Sequence, residues 1–162
     1  MMIWLFGRPA SGKTTLANFI VKKLDNAIIL DGDILRKSIS KDLGFSVQDR
    51  FEHIKRTLSL AKKHQSKKKN VIVALITPME RFREYIQLES RETILIYVKC
   101  NLEVCQQRDP KGLYQKAKVN EIQNFTGLTQ PFESPRCVDL IIDTNIHNIE
   151  KSGQMILDFL KK

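Results

Sequence analysis

The sequence predicts one α/β domain, built on a five-stranded, mainly parallel sheet with helices on both faces. Short apolar runs alternate with amphipathic stretches from one end of the chain to the other, which is typical of strands joined by crossover helices. The length of 162 residues suits one domain with a real core better than two. Apolar residues make up 42% of the chain and are interspersed with charged ones, so we expect a folded protein.

Five apolar runs are short and rich in Ile, Val and Leu, which predicts buried strands. These predicted strands cover residues 2–6, 27–30, 71–76, 93–98 and 140–142. Ligands of parallel sheets bind beyond the carboxyl ends of the strands, so we expect a site at that edge.

The stretches between the runs have apolar residues at helical spacing. The predicted helices cover residues 14–24, 49–65, 80–88, 102–108 and 148–160. Ser46, with Asp49 three positions later, is a capping signal for the second helix. Residues 109–135 contain Pro, Gly, Lys and Gln but little strand pattern, so we interpret them as a candidate mobile lid.

The net charge of +9 permits nucleic-acid binding, but it suits a site that handles several phosphates equally well. Much of the excess lies in lysine runs, at 62–63, 67–69 and 161–162. Aromatic residues do not interleave with these runs, as a stacking platform for bases requires. We therefore interpret the runs as solvated surface and nucleic acid as an unlikely substrate.

Cysteines and apolar runs bear on the compartment. Cys100, Cys105 and Cys137 have no zinc-type or CxxC spacing, so we expect three free thiols. The longest apolar runs, 1–6 and 71–76, are too short to span a bilayer. We expect the first apolar run to be a strand and not a signal peptide, because it leads directly into a phosphate-binding motif. We expect a cytoplasmic protein with no membrane partner.

That motif is Gly7-Arg8-Pro9-Ala10-Ser11-Gly12-Lys13-Thr14, which matches a P-loop between a predicted strand and a predicted helix. Its glycines allow backbone N–H groups to face phosphates at the start of a helix, where the dipole favours anions. The lysine would bridge the β- and γ-phosphates of ATP, and the threonine hydroxyl would ligate Mg²⁺. The sequence therefore predicts an ATP-dependent phosphotransferase.

The second predicted strand leads into Asp31-Gly32-Asp33, followed by Arg36. A strand end beside the P-loop allows one carboxylate to assist Mg²⁺ and the other to accept a proton from a substrate hydroxyl. The alternative is a polar turn with an acidic helix cap. Together with the P-loop, the pattern favours the catalytic interpretation.

Arg50, His53 and Arg56 are three positions apart on one predicted helix. A basic stripe of this kind is either a solvated surface or an anion clamp, since arginine forms paired contacts to phosphate and sulfate. The spacing alone does not decide between the two.

Several further motifs carry a family resemblance. They are Asp31-Gly32-Asp33, Asp42-Leu43-Gly44-Phe45-Ser46 with Asp49-Arg50, Arg108-Asp109-Pro110-Lys111-Gly112-Leu113-Tyr114, Phe125-Thr126-Gly127-Leu128 and Asp143-Thr144. With these motifs the chain resembles the adenylylsulfate (APS) kinases, which phosphorylate the ribose 3′-hydroxyl of APS to make PAPS. The resemblance implies a single P-loop kinase domain over residues 1–162, with the lid at 109–135, and it makes a homodimer possible.

The resemblance also implies roles for individual residues. ATP would be held by the P-loop residues Gly7 to Thr15 (that is, the eight motif residues and Thr15), with Arg108, Asp143 and Thr144. Asp33 would be the base toward the 3′-hydroxyl, with Asp31 and Thr14 near Mg²⁺ and Lys13 on the phosphates. Phe45 and Phe125 would sandwich the acceptor's base, while Arg36 and Arg50 hold its charged tail. The acceptor side would also include His53, Ile76, Thr77 and Lys111.

The chain departs from the family pattern mainly on the acceptor side. The family usually has Asn at the positions of Ile34, Ser40 and His53, and Ser at that of Thr77. Arg8-Pro9-Ala10 replaces Leu-Ser-Gly in the P-loop. The resemblance makes APS the first predicted acceptor, and these departures are the reason for the alternative, a related nucleotide such as cytidine diphosphoramidate, whose kinase serves bacterial capsule modification. A non-catalytic, basic nucleic-acid-binding P-loop protein is the alternative of another class.

Overall fold

The computed structural model describes residues 1–121, 123–126 and 128–161 of the chain. The strands are β1 (Met2–Phe6), β2 (Ala27–Asp31), β3 (Asn70–Leu75), β4 (Thr93–Lys99) and β5 (Leu140–Asp143). The helices are α1 (Lys13–Val21), α2 (Gly32–Arg36), α3 (Val47–Gln65), α4 (Glu80–Glu89), α5 (Leu102–Arg108), α6 (Leu113–Lys118) and α7 (Ile149–Phe159).

The five strands form one sheet in the order β2-β3-β1-β4-β5, and every neighbouring pair is parallel. The predicted α/β class and the five predicted strands are confirmed. Because β1 lies at the centre and the chain continues from it into the motif Gly7–Thr14, the phosphate-binding motif lies at the middle of the carboxyl edge.

Side chains of β1 alternate between two separate cores. Met2, Trp4 and Phe6 belong to the core on the face covered by α3 and α4, and all three are fully buried. Ile3 and Leu5 belong to the core on the other face, beside α1 and α7. This alternation follows from the two-residue period of a strand, and it explains why the central strand is apolar at every position.

The structure confirms the predicted capping signal and adds two helices. The Ser46 hydroxyl accepts a hydrogen bond from the Asp49 N–H at 3.1 Å, so α3 begins after Ser46 as expected. The sequence analysis missed α2, five residues long, and α6, six residues long, because each is too short to show an apolar period.

Two further expectations concern cysteines and membranes. Cys100, Cys105 and Cys137 are all free, as predicted. Within residues 1–121, 123–126 and 128–161 there is no helix with the length and apolar character that a membrane span requires.

Gly153 allows α7 to pack closely against α1. A Cβ atom at this position would lie 2.2 Å from Cδ1 of Phe19, which real contacts do not allow. We expect Gly153→Ala to lower the free energy of unfolding by about 1–3 kcal/mol, because the overpacked ring must shift. Chemical denaturation measures the change, and Gln154→Ala, at an exposed position of the same helix, is the control. Equal stability of the two variants would contradict the close packing.

Candidate active site

The described residues enclose a cavity of about 820 Å³ beyond the carboxyl ends of β1, β2 and β3. The predicted site residues in its wall are Pro9, Ala10, Gly12, Lys13, Thr14, Thr15, Asp31, Asp33, Arg36, Phe45, Arg50, His53, Ile76, Thr77, Arg108, Lys111, Phe125 and Thr144. Of the predicted set, Gly7, Arg8, Ser11 and Asp143 lie outside this wall. The cavity therefore brings both predicted halves of the site, for ATP and for the acceptor, into one space.

The backbone of the P-loop requires glycine at two positions. A Cβ atom on Gly7 would lie 2.4 Å from the carbonyl oxygen of Val98, so only glycine lets the loop approach β4. Gly12 precedes α1 with φ of 100°, in the region that L side chains rarely adopt. The loop thus places the N–H groups at the start of α1 toward the cavity, where the helix dipole favours anions.

Lys13 is buried at the base of this loop. Its Nζ donates to the carbonyl oxygens of Gly7 at 3.0 Å and of Arg8 at 2.7 Å. Burial lowers the pKa of Lys13 to about 8, while the carboxylates of Asp33 and Asp31 act in the opposite direction. The ammonium is therefore charged at neutral pH and poorly solvated, which strengthens its attraction to phosphate.

The Thr14 hydroxyl and the Asp31 carboxylate are the two protein groups predicted to bind Mg²⁺. The Thr14 hydroxyl donates to Oδ2 of Asp31 at 2.7 Å, while Oδ1 accepts from the N–H groups of Asp33 and Ile34. No group of three or more His, Cys, Asp or Glu side chains that could hold a metal occurs in the described part of the chain. Mg²⁺ is normally held by one or two protein oxygens together with water and substrate phosphates, so this hydroxyl and carboxylate fit it.

Asp33 is the second residue of α2 and is largely exposed, with 62% of its side chain accessible. It forms an ion pair with Lys111 of the lid. The carboxylate raises the pKa of Lys111 through this hydrogen bond. Lys111, in the segment predicted to be a lid, therefore pairs with the carboxylate that is predicted to be the catalytic base.

The lid motif is explained by the local structure around Lys111. Asp109 accepts from the Leu113 N–H at 2.8 Å and so begins α6, and Gly112 has a left-handed φ of 63°. The Tyr114 hydroxyl donates to the carbonyl oxygen of Pro9 at 3.0 Å. These contacts fasten the lid to the P-loop.

Arg108 joins the lid to the loop that follows β5. Its Nη2 donates to the Thr144 carbonyl oxygen at 2.6 Å, and the Thr144 hydroxyl donates to the Ser11 carbonyl oxygen at 3.0 Å. This chain of bonds ends in the P-loop, on the side predicted to hold ATP. Asp143 instead pairs with Lys99 at 3.0 Å, away from the cavity.

Arg50 organises the side predicted to hold the acceptor. Its Nε donates to the Phe45 carbonyl oxygen at 3.0 Å, and its Nη1 donates to the Thr126 hydroxyl at 2.9 Å. Burial, followed by the charge of Arg36, lowers the pKa of Arg50 to about 10, so the guanidinium stays charged at neutral pH. The guanidinium of Arg36 lies 4.7 Å from the ring centroid of Phe45. The guanidinium groups of Arg36 and Arg50 and the ring of Phe45 therefore lie close together on the acceptor side.

The two phenylalanines predicted to sandwich a base differ in their surroundings. Phe45 is 53% exposed, whereas Phe125 is 8% exposed and packs edge-on against Tyr114 at 4.9 Å between centroids. Phe45 is therefore free to meet a ligand, while Phe125 also supports the lid. Gly127 of the same motif lies outside the described residues.

The basic stripe on α3 divides into two environments. Arg50 and His53 are buried in the cavity wall. Arg56 lies outside that wall and pairs with Asp42 at 2.6 Å. A helix turns 100° per residue, so six positions bring Arg56 about 120° away from Arg50. The interpretation as an anion clamp therefore applies to Arg50, and the interpretation as solvated surface applies to Arg56.

Two residues that the sequence analysis did not select support Thr77. This threonine has a left-handed φ of 45° and is 2% exposed. Its hydroxyl accepts from the Trp4 indole N–H at 2.9 Å, and its carbonyl oxygen accepts from the buried Arg83 at 2.9 Å. Trp4 and Arg83 are 73 and 6 positions from Thr77 in the chain, and no sequence motif predicts either contact.

Arg8 turns away from the cavity. Its guanidinium lies 5.1 Å from the ring centroid of Phe132, which stacks on Tyr97 in the core beneath the loop. The side chain therefore packs under the P-loop, although the sequence analysis placed it among the residues that bind ATP.

The parallel sheet, the P-loop between β1 and α1, and the carboxylates after β2 define a P-loop kinase. The sequence model of the adenylylsulphate kinase family matches residues 1–143. A probable adenylyl-sulfate kinase of Bacillus subtilis is 39% identical over 167 aligned residues, covering 99% of this chain and 85% of the relative. One from Halalkalibacterium halodurans is 42% identical, covering 98% and 79%. The chain therefore belongs to the adenylylsulfate kinase family.

A solved structure supports the same conclusion. The APS kinase of Mycobacterium tuberculosis, in complex with AMPPNP and APS, has a TM-score of 0.92 to this chain at 31% identity. The match covers 99% of this chain and 97% of that one. The predicted family resemblance is confirmed over nearly the whole chain.

Proposed function

We propose that this protein transfers the γ-phosphoryl group of ATP to the ribose 3′-hydroxyl of APS, producing PAPS and ADP. The observation that carries the proposal is the shared cavity, which has Lys13 and Thr14 on one side and Asp33, Arg50 and Phe45 on the other. A phosphate donor and a nucleotide acceptor bound in it would meet between the P-loop and Asp33.

The donor side of the mechanism depends on charge. Lys13 would leave the loop carbonyls that it now contacts and bind the β- and γ-phosphates, where negative charge develops. Thr14 and Asp31 would hold Mg²⁺, which supplies positive charge to the phosphates when bound. Arg108 and Thr144 would form the wall beside the nucleoside of ATP.

The acceptor side depends on Asp33. Its carboxylate would accept the proton of the 3′-hydroxyl as that oxygen attacks the γ-phosphorus and the bond to ADP breaks. Lys111 must then exchange its ion pair with Asp33 for a phosphate oxygen. Arg36 and Arg50 would hold the anionic 5′-group of the acceptor, since arginine binds sulfate and phosphate oxygens in pairs.

A second candidate acceptor is cytidine diphosphoramidate. It is favoured by one observation: departures from the family pattern, Ser40, His53 and Thr77, are buried around the acceptor side. The family membership of the chain favours an enzyme over a non-catalytic nucleic-acid-binding protein.

Phe45→Ala and Phe125→Ala should both raise the KM for the acceptor, but only Phe125→Ala should also destabilise the protein. Phe45→Ala should raise the KM for the acceptor about ten- to hundredfold with little change in the melting temperature, because the exposed ring lies beside the Arg36 guanidinium and belongs to no apolar core. Phe125→Ala should also lower the free energy of unfolding by about 3–5 kcal/mol, because its buried ring packs on Tyr114. The KM for ATP should change little in either variant. A destabilised Phe45→Ala protein with an unchanged acceptor KM would contradict the stacking role.

The proposed function is tested by measuring ADP release with ATP and Mg²⁺, with and without APS. We expect ADP to form only when APS is present, and chelation of Mg²⁺ to stop it. Release that is independent of every nucleotide acceptor would contradict the proposal.

The proposal includes the cytoplasm as the compartment, where ATP is available and free thiols persist. A homodimer remains a prediction that sedimentation analysis would test.

A further inference from the structure

Ser40 and His53 form a buried polar pair, in which His53 lines the cavity and Ser40 lies outside the lining residues. Nδ1 of His53 lies 2.8 Å from Oγ of Ser40, and the two residues are 5% and 0% exposed. Ser40 follows α2, and His53 lies on α3, so the contact joins the two elements that flank this part of the cavity.

The burial of Ser40 determines which atom carries the proton. Among the described residues, Nδ1 is the only hydrogen-bond partner of the Ser40 hydroxyl. A buried hydroxyl proton without an acceptor costs about 1–3 kcal/mol, so Ser40 donates and Nδ1 accepts. The ring proton then resides on Nε2, which is a hydrogen-bond donor.

The charge of the ring is fixed by its neighbours. Burial, together with the positive charges of Arg36, Arg56 and Arg50, lowers the pKa of His53 to about 4, while Asp33 acts in the opposite direction. The imidazole is therefore neutral above about pH 5, where the kinase must work.

We infer that Ser40 positions His53 as a neutral Nε2–H donor that selects the base of the acceptor nucleotide. The ring lines the cavity one helical turn after Arg50, which spans from Phe45 to Thr126 beside Phe125. Phe45 and Phe125 line the same cavity, so the edge of a base stacked between them would lie in the same space as this donor. The recognised group is a lone pair on that edge, a carbonyl oxygen or an unprotonated ring nitrogen. The inference rests on the proposed function, because it needs a nucleotide acceptor in this cavity.

The proton assignment is tested by NMR of the protein labelled with ¹⁵N-histidine. The chain has three histidines, and the signals of His53 are those lost in His53→Gln. We expect the Nε2–H tautomer, unchanged between pH 5 and 8, and we expect the tautomers to mix in Ser40→Ala. An Nδ1–H tautomer, or a ring that titrates near pH 6.5, would overturn the inference.

The selective role is tested by a matched pair of variants. His53→Gln keeps an N–H donor at about the position of Nε2, whereas His53→Asn is shorter and withdraws it. We expect His53→Asn to raise the KM for the acceptor about tenfold and His53→Gln to raise it less than threefold. The KM for ATP and kcat should change little in both variants. Equal acceptor KM values in the two variants, with both folded, would overturn the donor role.

The acceptor in this test is APS, or cytidine diphosphoramidate if the wild type uses that nucleotide instead. A wild type that does not phosphorylate APS thus counts against the proposed function. The comparison of Gln with Asn, made with the acceptor that is used, decides the inference separately. Ser40→Ala should raise the same KM about threefold through His53, with no change for ATP.

Discussion

Lys13→Ala is expected to lower kcat by about 10²–10³-fold or more, because negative charge then develops on the β- and γ-phosphates without a positioned ammonium. The fold should persist, since the ammonium contacts two carbonyl oxygens and the Ser11 hydroxyl of the P-loop and supports neither apolar core. Steady-state turnover measures the loss, and far-UV circular dichroism checks the fold.

The control for Lys13→Ala is Lys23→Ala. Lys23 is exposed just beyond the end of α1 and lies outside the wall of the cavity. Lys23→Ala removes the same charge from the protein, so a loss of activity caused only by the change in net charge would appear in both variants. A Lys13→Ala protein with near wild-type turnover would contradict the assignment of the loop to ATP.

Asp33→Asn is expected to lower kcat about 10²–10⁴-fold while the KM for ATP stays within a few-fold. The substitution preserves the shape of the side chain but removes the proton acceptor. Because the Asp33 side chain is 62% exposed, stability should change by about 0.5 kcal/mol or less. Rapid-quench measurement of the chemical step separates this effect from slow product release.

Asp31→Asn is the informative comparison for Asp33→Asn. Asp31 caps α2 and accepts from Thr14, and Asn caps a helix about as well as Asp, so Asp31→Asn should weaken binding of Mg²⁺-ATP with little change in stability. If Asp33→Asn instead loses ATP affinity and keeps its turnover, Asp33 is a metal-site residue and Asp31 is the base.

Much of the fold could be predicted from the sequence because the three inner strands, β3, β1 and β4, are buried on both faces. Such strands have continuous apolar runs, and all five runs became strands with ends within one residue of the prediction. The short helices α2 and α6 could not be predicted in this way. Helix α2 begins after its cap Asp31 and helix α6 begins after Gly112, and each has too few residues for an apolar period to appear.

The site was predictable where a motif is contiguous and less so where distant residues meet. The P-loop and the two aspartates are contiguous, and the strand order brings them to one edge. Arg8 and Asp143 belong to matched motifs, yet their side chains pack on Phe132 and pair with Lys99. Motif membership gives the position of the backbone, whereas the direction of each side chain depends on tertiary contacts.

Residues that act through others carried no signal of their own. The sequence predicts Trp4 as a core residue of β1. In the structure its indole N–H also donates to the hydroxyl of Thr77, whose backbone is left-handed. Ser40 reads as part of a polar turn, but it determines the proton position on His53. Both contacts join segments that are distant in sequence, so only the folded structure reveals them.

The most direct test of the central claim is identification of the product. The protein is incubated with ATP, Mg²⁺ and APS, and the product is analysed by mass spectrometry and ³¹P NMR, with cytidine diphosphoramidate in a parallel reaction. We predict that APS gains one phosphoryl group, located on the ribose 3′-oxygen, with one ADP released per product. Absence of any phosphorylated nucleotide, or phosphate on an oxygen other than the 3′-oxygen, would contradict the account.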